Sequence, residues 1–316
     1  MTKQKQKRWK IWVPILCIVC CVLILAGVFA GYLLSKSGLF FDRGIYHPIG
    51  TASQSDGTAA SGASLRNPDG MTPLARVAAP SGYRRVDASK GSLLSYMRSM
   101  ALKPDGSKIT LYDGTEIDRP AYAVFDFDVG KKDLQQCADS IIRVYSEYYW
   151  SIGAYDKIQF HLTNGTLMRY TDWRDGERIL ASGSVVKKVK LASYDDSYDC
   201  FRAYLECVMN YAGTKSLEKE SVTVEPSALR PGDLLVYGGS PGHAVLVIDA
   251  AENAAGKKCW LLAQGFMPAQ SFHILLNPLH EDDPWYYEDE CIESLQTHTN
   301  TFSLENFRRW NGGFVN

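Results

Sequence analysis

From Asp133 to Trp150 the apolar positions Leu134, Cys137/Ala138, Ile141, Val144/Tyr145 and Tyr148 recur at the spacing of one buried helix face. Tyr198 to Tyr211 repeats the pattern with Phe201, Tyr204/Leu205, Val208 and Tyr211/Ala212. Gly213 supplies a stop, and Asp195 to Asp199 offers N-cap residues just before the start. Elsewhere the period changes to two. Asp156 to Leu162 alternates apolar and polar and runs into the turn pair Asn164-Gly165. Leu234 to Tyr237, His243 to Asp249, Cys259 to Gln264 and Phe272 to Leu276 are short, rich in β-formers and bounded by Gly, Pro or Asn. Helices followed by a run of strands, without βαβ alternation, predict an α+β domain with an antiparallel sheet.

The first 34 residues follow neither pattern. Lys3, Lys5, Lys7, Arg8 and Lys10 precede an uncharged run from Ile11 to Leu34. At 1.5 Å per residue such a run reaches about 36 Å, enough to cross a hydrocarbon core of about 30 Å. Pro14 falls in the first turn, and Trp9, Trp12 and Tyr32 fall near the ends, where amphipathic rings favour the interface. The expectation is one transmembrane helix over 11–34, a cytoplasmic basic tail over 1–10 and a translocated remainder. A cleaved signal peptide ending near Val28-Phe29-Ala30 is the alternative, but its apolar stretch is usually shorter.

Composition divides the rest of the chain. Thr51 to Ser64 is almost entirely small and polar, so residues 35–70 read as a flexible extracytoplasmic stalk, and 71–316 as the folded domain. With the five tail cations set apart, 29 basic residues face 35 acidic ones. That acidic balance argues against nucleic acid as a partner, since phosphate binding needs a basic surface. The membrane, through the N-terminal helix, is the partner the sequence does predict.

Five cysteines remain in the domain: Cys137, Cys200, Cys207, Cys259 and Cys291. An odd number outside the cytoplasm leaves at least one unpaired. Their spacing with histidine suggests no zinc site, and no cofactor is expected. The informative stretch runs from Tyr198 to Gly265. Cys200 opens a helix, Pro231-Gly232-Asp233 leads into a strand, and Gly238 to Gly242 delivers His243 at the head of the next strand. The strand after that ends at Gln264. A thiol at a helix N-terminus is favoured as thiolate, a histidine on a facing strand can exchange its proton, and a side-chain amide can hold the imidazole in one tautomer.

This order resembles the papain-like cell-wall peptidases and amidases of the NlpC and CHAP type. The resemblance implies a helix packed on an antiparallel sheet, with Cys200 as nucleophile, His243 as base and Gln264 as orienter. Two departures stand out: bulky Phe201-Arg202 replaces the small pair that follows the cysteine in NlpC enzymes, and Asp199 opposes thiolate formation. A second resemblance covers about Ala78 to Trp285. The segments Leu134 to Asp139, Tyr211 to Thr214, Pro241 to Ala244, Leu261 to Gln264 and Met267 to Gln270 resemble a bacterial family, domain of unknown function 4846. In that pattern a cysteine is expected at Cys137, which becomes the alternative nucleophile.

The resulting expectation is a membrane-anchored, extracytoplasmic cysteine hydrolase or amidase acting on cell-wall peptide or glycopeptide. The alternative is a non-catalytic binding domain on the same scaffold. Plain packing accounts for Cys137 and Cys200 as small buried hydrophobes, and His273, His280 and His298 read as surface or core histidines.

Overall fold

The computed structural model describes residues 64–182 and 185–311. The expected tail and membrane span and most of the expected stalk lie outside the described residues. Among the described residues no helix is long and apolar enough to cross a membrane. Arg66 and Asn67, which composition assigns to the end of the stalk, are part of the folded body. Arg66 bridges to Val77, donates to Asp105 at 2.7 Å and lies over the Tyr122 ring.

The domain is α+β, built on a nine-stranded antiparallel sheet. Its strands in chain order are β1 (Tyr83–Arg85), β2 (Ala123–Val124), β3 (Ser221–Thr223), β4 (Leu234–Tyr237), β5 (His243–Asn253), β6 (Lys258–Gln264), β7 (His273–Ile274), β8 (Trp285–Tyr287) and β9 (Phe307–Trp310). Across the sheet they run β2-β7-β6-β5-β4-β9-β3, with β1 pairing the far half of β5 and β8 the near half of β6. The helices are α1 (Pro73–Arg76), α2 (Leu93–Ser99), α3 (Cys137–Ser151), α4 (Tyr170–Arg174), α5 (Tyr198–Tyr211) and α6 (Thr214–Lys219).

The expected helix over Tyr198 to Tyr211 is α5, capped by the Ser197 hydroxyl, which accepts from the Cys200 N–H at 3.1 Å. The Asn164-Gly165 turn joins the hairpin Gln159–His161 and Leu167–Arg169, although residues 155–157 form a 3-10 turn instead of the start of that strand. The other expected helix begins later than its apolar pattern. Gln136 is the N-cap of α3, and its N–H donates to the Asp139 carboxylate in a capping box.

Two apolar cores clasp the sheet. On one face Ile141, Ile142, Val144 and Tyr145 of α3 cluster with Ala244, Leu246 and Ala263. On the other, Val245, Val247, Trp260 and Leu262 cluster with Phe302 and Phe307. Burial on both faces explains why β5 reads as a nearly continuous apolar run.

A bulge between Val247 and Asp249 interrupts the β5–β6 register. It leaves the Asp249 carboxylate fully buried and aimed at the segment that wraps the sheet edge. Arg85 of β1 donates to it at 2.8 Å, and Arg98 of α2 at 2.6 and 3.0 Å. The same guanidinium groups also bond the Val77 and Val86 carbonyls. At the sheet's other side Asp233, of the Pro231-Gly232-Asp233 motif, grips Arg309 of β9 through both oxygens at 2.8 and 2.7 Å. Gly232 takes a positive φ of 92°, which is what the motif's glycine supplies.

Removing one partner of a buried charge cluster leaves the others uncompensated. Asp249→Ala is expected to lower stability by about 3–5 kcal/mol. Arg84→Ala breaks only an exposed pair with Asp87 and is expected to change it by less than about 1 kcal/mol. Urea unfolding followed by tryptophan fluorescence separates the two, and equal losses would refute the anchoring role.

Candidate functional site

The site lies where the N-terminus of α3 meets the ends of β5 and β6. Cys137 is the first residue of α3, where the helix's N–H groups are unpaired, and it is 6% exposed. Its sulfur lies beside the backbone N–H of Ala244, the residue after His243. Burial pushes the thiol up to about 11, and nearby Asp139 adds to that shift. The N–H groups of Ala244, Ala138 and Cys137 itself pull the other way.

The chain around this helix end is tightly fixed. Asp133 accepts from the Gln136 side-chain amide at 3.0 Å and from the Ala269 N–H at 2.7 Å. It thereby ties the loop after β6 to the start of α3. Gly265 opens that loop and presses on the helix. A Cβ there would collide with the Ser140 hydroxyl and come within 2.8 Å of the Gln136 carbonyl. Only glycine allows this approach.

His243 heads β5, 4% exposed, and its Nε2 lies 2.7 Å from Gln264 Oε1. Phe266 meets the ring edge-on at 5.0 Å, and Phe302 lies at 6.1 Å. Burial lowers the imidazole pKa, and the Gln264 bond opposes that shift. Gln264, 1% exposed, sits opposite His273 across the β6–β7 ladder, with its Nε2 3.5 Å from His273 Nε2. His273 Nδ1 lies 2.9 Å from the Ser271 carbonyl, and burial brings this ring down to about 4.

A further amide closes the group. Gln270 Oε1 accepts from Arg119 at 3.1 Å, while its buried Nε2 has no partner. The Arg119 guanidinium lies 4.6 Å over Phe266, the ring that abuts His243. Arg119 also lines a cavity of about 460 Å³ whose wall includes Val124, the β2 residue paired with His273. Lys108, Arg66 and Tyr122 line it as well.

Of the residues expected from sequence, the structure joins His243 with Gln264 and sets Cys137 beside the strand that carries His243. Cys200 lies elsewhere, buried in α5 near Tyr170. Its thiol is raised by burial and by Asp195, and lowered by Arg178 and by contacts to Trp173 and Arg178. All five cysteines of the domain are free. The sequence does not mark His273, Arg119 or Phe266 as site residues. The placement of His273 directly opposite Gln264 is a matter of strand register, which a single sequence does not display. Among the described residues no group of three His, Cys, Asp or Glu side chains is placed to hold a metal ion.

The architecture is thus an α+β domain in which a helix bearing an N-terminal cysteine rests on an antiparallel sheet. The sequence profile of a family described as Domain of unknown function (4846) matches residues 74–309, and the chain belongs to that family. No curated protein and no solved structure matches it.

Asp139 makes stability depend on pH. Burial pushes its carboxyl up to about 8, so the folded state keeps this proton after the unfolded chain has released it near 4. Glu220, pushed up to about 7 by burial, acts in the same direction. Both contributions are fully present below the unfolded values and are lost as pH rises through the folded ones. Thermal midpoints are expected to fall between about pH 5 and 8, less steeply in Asp139→Asn. Identical slopes in the two proteins would rule out Asp139 as a source.

Proposed function

We propose that the domain is a cysteine hydrolase or amidase with a papain-like arrangement, in which Cys137 is the nucleophile, His243 the base and Gln264 the orienter. The observation that carries this reading is the 2.7 Å contact of His243 Nε2 with Gln264 Oε1, combined with a thiol at a helix N-terminus beside Ala244. The Gln264 oxygen takes up Nε2–H and leaves Nδ1 as the proton acceptor. Thiol and imidazole rest as a neutral pair, since burial raises the one and lowers the other.

In the reaction, Nδ1 removes the Cys137 proton as sulfur attacks an amide carbonyl. The imidazolium, held by Gln264, returns that proton to the leaving amine, and water hydrolyses the thioester. Backbone N–H groups at the start of α3 supply stabilisation for the developing oxyanion. The unsatisfied Gln270 Nε2 is a buried donor in the loop bordering the same residues.

Peptide of the cell wall is the substrate class we assign. It rests on the expected N-terminal membrane span, which would hold this domain on the outer face of the membrane. The closed state of the thiol supports a second reading, a non-catalytic domain that binds wall glycopeptide.

Purified protein incubated with muropeptides tests both. Cys137→Ala is expected to lower turnover by about three orders of magnitude, and His243→Ala by about 10² or more. Cys200→Ala is expected to retain activity. Loss in Cys200→Ala with retention in Cys137→Ala would overturn the assignment. Binding without turnover, unchanged in Cys137→Ala, would favour the second reading.

A further inference from the structure

We infer that His273 is a positioning residue: through the amide of Gln264 it sets which nitrogen of His243 carries the proton. The inference deepens the proposed role of His243 as base and rests on that reading only for its catalytic consequence.

The chain of hydrogen bonds leaves one assignment at each step. The Ser271 carbonyl can only accept, so His273 Nδ1, 2.9 Å away, must carry a hydrogen. The ring is completely buried, and burial first, then the positive charge of Arg119 and the nearby His243, disfavour its charged form, so it is neutral. A neutral imidazole with hydrogen on Nδ1 has a lone pair on Nε2. That lone pair faces the Gln264 side chain at 3.5 Å, and only the NH2 end of the amide can satisfy it. The amide oxygen is thereby turned to His243, 2.7 Å from Nε2. An oxygen at that distance requires hydrogen on Nε2 of His243 and leaves Nδ1 unprotonated.

Without His273 the amide has no reason to prefer this orientation. Rotated by half a turn, it would present NH2 to His243 Nε2 and move the hydrogen to Nδ1. An Nδ1 that already carries hydrogen has no lone pair to accept a proton from a thiol, so half the states of an unguided amide would be inactive. Three strands share the relay, with His243 on β5, Gln264 on β6 and His273 on β7. Gln264 and His273 are direct cross-strand partners, so the register of the β6–β7 ladder sets their alignment.

Long-range proton–nitrogen NMR on the full chain labelled with 15N-histidine reads the tautomers directly. In the wild-type protein His243 is expected as the Nε2–H form and His273 as the Nδ1–H form. His273→Phe is expected to give His243 a substantial Nδ1–H population, and His273→Gln, which restores an acceptor, to return it to Nε2–H. Where activity is measurable, kcat in His273→Phe should fall about twofold at little change in KM, with rescue by His273→Gln. A wild-type His273 in the Nε2–H form, or an unchanged His243 tautomer in folded His273→Phe, overturns the inference. The wild-type reading stands even if His273→Phe does not fold. Because the spectra need no turnover, absence of hydrolysis would count against the proposed function alone.

Discussion

One buried carboxylate sets the conditions for much of this structure. Asp249 sits in the longest strand of the sheet, at a bulge, with two arginines from the N-terminal part of the domain closing over it. A lone carboxylate in that position would be prohibitively costly, so the strand, β1 and α2 have to arrive together. The bulge also reverses the alternation of side chains along β5. Ala244, Leu246 and Ile248 face the α3 core before it, whereas Ala251 does so after it. His243 stands at the other end of this strand, so the bond that anchors the wrap also steadies the strand on which the imidazole rides.

Much of the fold is legible because it is written in periodicity. The helix α5 and the strand Leu234 to Tyr237 match their expected ranges, and the strand ending at Gln264 ends there. The expected end of β5 at Asp249 falls four residues short of Asn253. An extra residue at the bulge breaks the period-two pattern at that point, and the strand continues with its faces exchanged. The apolar stripe predicts α3 from Asp133 onward because Leu134 fits it. The chain instead enters the helix at Gln136, whose capping box with Asp139 uses a less common residue pair.

Those few residues change the meaning of a cysteine. Read from Asp133, Cys137 lies within the helix as filling; capped at Gln136, it is the first helical residue, with unpaired N–H groups around it. The pairing of His243 with Gln264 is legible because both fall at strand ends flanked by glycine. Their relation to His273 is not, because it depends on how β7 aligns with β6. Cys200 has local features similar to those of Cys137, a capped helix start and burial, and only tertiary placement distinguishes them.

The position of β9 has a consequence for how such a molecule comes into being. This strand is inserted between β4 and β3, held to Asp233 by Arg309, although it is the last of the nine to be synthesised. Trp310 stacks on Tyr145 of α3 and donates to Glu220, so the late strand also completes the packing under the helix that begins with Cys137. A growing chain therefore carries its thiol for well over a hundred residues before the sheet can close. Assembly waits on contacts of long sequence separation, which form slowly. Until then the strand that carries His243 can already be in place beside the cysteine, whereas the packing that Trp310 completes beneath α3 is still missing.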